Sequence, residues 1–78
     1  MERSVFCALS YNDEPIRDKH MVLNLLRSLG MPVLKFEVED LENGMWTLEL
    51  ADEYIERLRS DGYLEMEKNG YRLEAEMP

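Results

Sequence analysis

Cys7 and His20 are the single cysteine and the single histidine of the chain, so any nucleophilic or relay chemistry would have to run through one of them. A His-centred relay needs a nucleophile and an orienting acid beside the imidazole, and neither neighbour of His20 in the sequence supplies one. Cys7 lies inside the apolar run Val5 to Leu9, a setting that predicts a packed, unreactive thiol. One Cys and one His do not close a structural zinc site. Oxygen donors gather at Glu37, Glu39, Asp40, Glu42 and Asn43, a set that would suit calcium. Their spacing is not that of an EF-hand loop, and alternating acids on an extended segment predict a wet strand face instead. Paired carboxylates are common in so acidic a chain, and glycosidase-like work would also need a cleft. Gly30, Gly44, Gly62 and Gly70 are isolated, so no phosphate-cradling loop is formed. No catalytic, metal or cofactor residues are expected, and the chain reads as a non-enzyme.

Charge narrows the choice of partner. The formal net charge is −8, and its distribution is uneven. Up to Pro32, Glu2, Asp13, Glu14 and Asp18 are matched by Arg3, Arg17, Lys19 and Arg27. Beyond it, thirteen acids face Lys35, Arg57, Arg59, Lys68 and Arg72. Such a surface repels a phosphate backbone. A nucleic-acid partner is therefore not expected. The apolar run Val5 to Leu9 is too short for a membrane span or the core of a signal peptide, and one cysteine allows no internal disulfide. A reducing, cytoplasmic compartment is the expectation that follows.

The elements that would position these residues can be read from periodicity. Asn69-Gly70 is a strong signal for a two-residue type I′ turn, which needs φ > 0 at both positions. Pairing outward from it sets Lys68 against Tyr71, Glu67 against Arg72, Met66 against Leu73, Glu65 against Glu74 and Leu64 against Ala75. Leu64, Met66, Tyr71, Leu73 and Ala75 then share one face, and Glu65, Glu67, Arg72 and Glu74 the other. Earlier, Ser4 to Tyr11 predicts a buried strand stopped by Asn12-Asp13. Asn12 or Asp13 would cap a helix from about Pro15 to Leu29, with Val22, Leu25, Leu26 and Leu29 on its apolar face and Gly30 after it. Met21 and Leu23 fall beside that stripe. Leu34, Phe36 and Val38 alternate with Lys35, Glu37 and Glu39, and a three-residue loop at Glu42-Asn43-Gly44 would pair Val38 with Leu48 and Phe36 with Leu50. Ala51, Tyr54, Ile55 and Leu58 predict a second helix closed by Gly62.

At 78 residues the chain is expected to be one domain spanning 1–78. Its class is α+β: two helices on one face of a mostly antiparallel sheet, in the order βαββαββ, a ferredoxin-like variant with an added edge strand. The stretch Leu58 to Glu65, followed by the turn and Tyr71-Arg72-Leu73, also resembles the last helix and wing of a winged-helix domain, with Val22 to Gly30 similar to its first helix. That resemblance, over about Asp18 to Glu76, implies a short second helix at Glu37 to Gly44 and a third from Thr47 to Ser60. It implies a DNA-binding regulator, a homodimer, with phosphate contacts from Arg17, Lys19 and Arg27. Its recognition helix would present Asp52, Glu53 and Glu56, the wrong sign for a DNA groove.

The leading functional expectation is an acidic interaction or regulatory module that binds a protein partner with a basic surface through a negatively charged sheet face. Glu37, Glu39, Glu65, Glu67 and Glu74 are the residues expected to meet that partner, with Trp46 as a candidate aromatic anchor, although core or hairpin packing is the commoner place for such a residue. A mimic of nucleic acid, occupying a basic groove on another protein, shares the same physics.

Overall fold

The computed structural model describes residues 2–52 and 63–76. Among these residues one helix packs on an antiparallel sheet of six strands, an α+β fold. The strands are β1 (Glu2–Tyr11), β2 (Glu14–Pro15), β3 (Val33–Asp40), β4 (Met45–Ala51), β5 (Tyr63–Lys68) and β6 (Tyr71–Glu76), and the helix is α1 (Lys19–Leu29). The sheet order is β3-β4-β1-β6-β5, with β2 paired to the end of β1. β1 is thus the central strand, and β4 separates it from β3, the strand reached through α1. That is a split βαβ arrangement.

The β5–β6 hairpin has the register predicted from its turn, with Lys68 opposite Tyr71 and Leu64 opposite Ala75. Asn69 (φ 55°) and Gly70 (φ 86°) supply the left-handed pair. A second left-handed pair, Asn12 (φ 49°) and Asp13 (φ 67°), corrects the expected helix start. These two residues turn β1 back into β2, pairing Ser10 with Pro15 and Tyr11 with Glu14. The two turns abut, and the Asn12 N–H donates to the Gly70 carbonyl at 2.9 Å.

The helix therefore begins at Lys19, four residues after the expected Pro15, and Asp18 caps it. The Asp18 carboxylate accepts from the His20 N–H at 2.6 Å, and Gly30 (φ 66°) closes the other end. Val22, Leu25 and Leu26 are buried as the stripe predicted, Met21 and Leu29 are partly buried against the core, and Leu23 is exposed. Removing the cap in an Asp18→Ala chain should cost about 1 kcal/mol, read as a lower urea midpoint with an unchanged slope.

The β3–β4 hairpin differs from expectation by two residues. Val38 faces Trp46 and Phe36 faces Leu48, because the register shifts between Val38 and Asp40 and the loop takes four residues, 41–44. The Asp40 carboxylate accepts from the Asn43 side chain at 2.8 Å and from its backbone N–H at 3.3 Å, which tightens the turn. These bonds hold the Asp40 carboxyl below the usual carboxylate range. A two-residue shift keeps Phe36 and Val38 opposite the inward row of β4, but a second shift, between Val33 and Lys35, sets Val33 opposite Leu50 where Leu34 was expected and leaves Leu34 57% exposed. Asp40 therefore favours the folded turn above the ordinary carboxylate range, and the contribution fades as the pH drops through its lowered value.

Ala51, expected to open a second helix, ends β4, and Tyr54, Ile55, Leu58 and Gly62 lie outside the described residues. The segments that the winged-helix resemblance would make helical, Glu37 to Gly44 and Thr47 to Ala51, are strand and turn. The core lies on one face of the sheet: Val5, Cys7 and Leu9 of β1, Trp46, Leu48 and Leu50 of β4, and Leu73 and Ala75 of β6 pack with Ile16, Met31 and the helix stripe.

Candidate docking face

Strand alternation fixes what lies on the other face. With Val5, Cys7 and Leu9 turned into the core, Ser4, Phe6, Ala8 and Ser10 form the central row of the opposite face. The expectation of a buried strand is corrected here: none of the four is buried, and Phe6 is 56% exposed. Registers place the neighbours. Thr47 stands opposite Phe6, Met45 opposite Ala8 and Glu49 opposite Ser4 on β4. On β6, Glu74 stands opposite Ala8 and Arg72 opposite Ser10. The outer strands add Glu37 opposite Thr47 and Lys35 opposite Glu49 on β3, and Glu65 opposite Glu74 and Glu67 opposite Arg72 on β5.

The result is an apolar strip of Phe6, Ala8 and Met45 rimmed by carboxylates on both sides. Glu39 joins the rim, since its carboxylate accepts from the Thr47 hydroxyl at 2.8 Å. Among these described residues Glu37, Glu39, Glu49, Glu65, Glu67 and Glu74 outnumber Lys35 and Arg72. Arg72 pairs with Glu74 at 2.6 Å and with Glu65 at 2.9 Å, and Lys35 pairs with Glu37 at 3.0 Å. All five side chains remain at least a third exposed, so each pair contributes no more than about 1 kcal/mol and is exchangeable for a partner's cation.

Of the residues expected to meet a partner, the structure brings Glu37, Glu39, Glu65, Glu67 and Glu74 to this one face. It places Trp46 on the other. The indole is 1% exposed, its N–H donates to the Ile16 carbonyl at 3.0 Å, and Phe36 meets it edge-on at 5.9 Å between ring centroids. Among the described residues, the aromatic side chain that faces outward on this side is Phe6. Its signal was the phase of β1: once Val5, Cys7 and Leu9 are inward, Phe6 is outward.

The chemistry-bearing side chains do not converge. Cys7 is buried beneath Trp46, its thiol donating to the Trp46 carbonyl at 3.4 Å, and burial pushes that thiol up to about 12. Thiol reagents at neutral pH should therefore leave Cys7 unmodified in the native protein and label it only after denaturant exposes it, a contrast read by mass spectrometry. His20 is exposed in the first turn of α1. Among the described residues no three of His, Cys, Asp and Glu converge to hold a metal ion. Within the acid-rich turn, Asp40 is engaged by Asn43, and the Glu42 carbonyl accepts two bonds from Arg17, at 2.9 and 3.1 Å. No described helix is long and apolar enough to cross a membrane. Compared with known proteins, the chain matches no family model, no curated protein and no solved structure.

Proposed function

We propose that this chain is a non-enzymatic interaction module that docks a basic protein partner on the open face of its sheet. One observation carries the reading: Phe6 is 56% exposed at the middle of a face whose rim is predominantly carboxylate. An exposed aromatic ring ringed by charge has the anatomy of an interface, in which the ring supplies burial on docking and the rim steers encounter. Opposed charge raises the association rate and suppresses acidic competitors. The same reading takes the chain as a ferredoxin-like variant with a second helix between β4 and β5, which the split βαβ arrangement supports. It places the protein in a reducing compartment, in keeping with its lone buried thiol.

The test is association with a lysine- and leucine-rich model peptide at low and at physiological salt. Binding is expected at low salt, with an association rate that falls roughly tenfold by physiological strength. Phe6→Ser should leave that rate nearly unchanged and speed dissociation instead. A salt-independent association, or preferential binding of duplex DNA, would overturn the reading.

A further inference from the structure

We infer that the occupant of this face is an amphipathic α-helix of the partner, with an apolar ridge flanked on both sides by Lys or Arg, laid along β1. The inference rests on the docking reading above and specifies the shape of what docks.

The dimensions of the face select a helix. β4 and β6 flank β1 at about 4.8 Å each, so the inner rim residues, Glu49 on β4 and Glu74 on β6, stand on strands about 10 Å apart. That matches the roughly 10–12 Å diameter of a helix with its side chains. The outer rim, Glu37 on β3 and Glu65 and Glu67 on β5, lies on strands about 19 Å apart, within reach of Lys or Arg stems leaving the two flanks of such a helix. Along the strand, Ser4 to Ser10 covers about 20 Å, the length of about 14 helical residues. Along β1, Phe6 is flanked by the small residues Ser4 and Ala8, and its ring is 56% exposed for a partner's Leu-sized residues to cover.

Other occupants fit less well. A second copy laid face to face would set Glu37, Glu49, Glu65 and Glu74 against carboxylates of the same rim, and like charges brought together suppress association. An extended peptide gains its affinity from main-chain bonds at a sheet edge, whereas this strip lies at the sheet's centre, where β1 already pairs with β4 and β6. The concavity beside α1, formed by Leu23, Leu26, Met31, Pro32 and Val33, carries Arg27 in its lining and so opposes a basic helix.

The experiment uses the full chain and two synthetic peptides of about 18 residues and identical composition. One has Leu and Phe on a single helical face with Lys on both flanks. The other has the same residues permuted so that no apolar face forms. The helical peptide should bind at least tenfold more tightly, and its helix content by circular dichroism should rise on mixing. Phe6→Ser should remove at least tenfold of that preference while near-ultraviolet dichroism reports an intact core, and Glu42→Gln, in the β3–β4 turn, should change nothing. If the two peptides bind equally and with the same salt dependence, the docking face stands and the helical occupant is wrong. If neither binds, both fall. Concentration-dependent dimerisation of the free protein at neutral pH, lost in Phe6→Ser, would replace the helix by a second copy.

Discussion

A Trp46→Ala chain should lose about 3–5 kcal/mol of stability and with it a cooperative unfolding transition. The indole is 1% exposed at the junction of β4, β1 and the segment before α1, and its removal leaves a cavity that the surrounding strands are too constrained to close. It also strips the Ile16 carbonyl of its donor, an orphaned buried acceptor worth a further 1–3 kcal/mol or so. Domains in general hold only about 5–15 kcal/mol, and one of 78 residues stands toward the lower end. Trp46→Phe separates the two contributions. It keeps the ring against Phe36 and loses only the N–H and some volume, so it should remain folded with a reduced urea midpoint. A Trp46→Ala protein that unfolds cooperatively with a loss under 1 kcal/mol would show that the ring is not where the core needs it.

Replacing Gly44 by alanine should cost about 2–5 kcal/mol, more than the same change at Gly30. Both backbones are left-handed, at φ 67° and φ 66°, so the conformational strain, about 1–2 kcal/mol, is common to the two. Their surroundings differ. A Cβ at Gly44 would lie 2.8 Å from the Leu9 carbonyl oxygen, 2.9 Å from Pro15 Cβ and 3.1 Å from the Ile16 nitrogen, while at Gly30 it meets nothing within 4 Å. The crowding falls where Leu9 donates to the Gly44 carbonyl and Ile16 donates to that of Leu9, each at 2.9 Å. Relief requires that β2 move off β1, adding about 1–3 kcal/mol. Urea midpoints of the two variants read the difference directly, and equal losses at the two glycines would mean that the slot beside β1 is not closed.

Much of this architecture is legible in the residues themselves. Asn69-Gly70 fixes the β5–β6 register because a two-residue turn leaves no freedom in how the strands meet. The helix stripe of Val22, Leu25 and Leu26 is equally plain. Asn12 and Asp13 mislead for a physical reason: the same short polar side chains that cap helices also tolerate left-handed turns, and only the pairing of Glu14–Pro15 with β1 decides between them. The β3–β4 register is hidden by two irregularities, before Asp40 and after Val33, which no local pattern announces; period two protects the faces of Phe36 and Val38, while the second irregularity exchanges Leu34 for Val33. The site divides in the same way. Its carboxylates are readable from alternation. Trp46 takes the core place that its alternation with Leu48 and Leu50 allows and not that of an anchor, while the exposure of Phe6 was hidden because Val5 to Leu9 is apolar throughout and carries no internal sign of which half faces water. Strand phase turns the indole inward with Leu48 and Leu50, and the carbonyl of Ile16, supplied by a segment 30 residues away, satisfies its N–H there.

An amide and methyl chemical-shift map of the protein titrated with the amphipathic basic peptide tests the docking face most directly. Saturable shifts should concentrate at Phe6, Ala8, Met45, Thr47, Glu65 and Glu74, while Leu23 and Met31 beside α1 and the Trp46 indole stay still. Shifts centred on α1 and its neighbouring concavity, or spread evenly over both faces of the sheet, would contradict it.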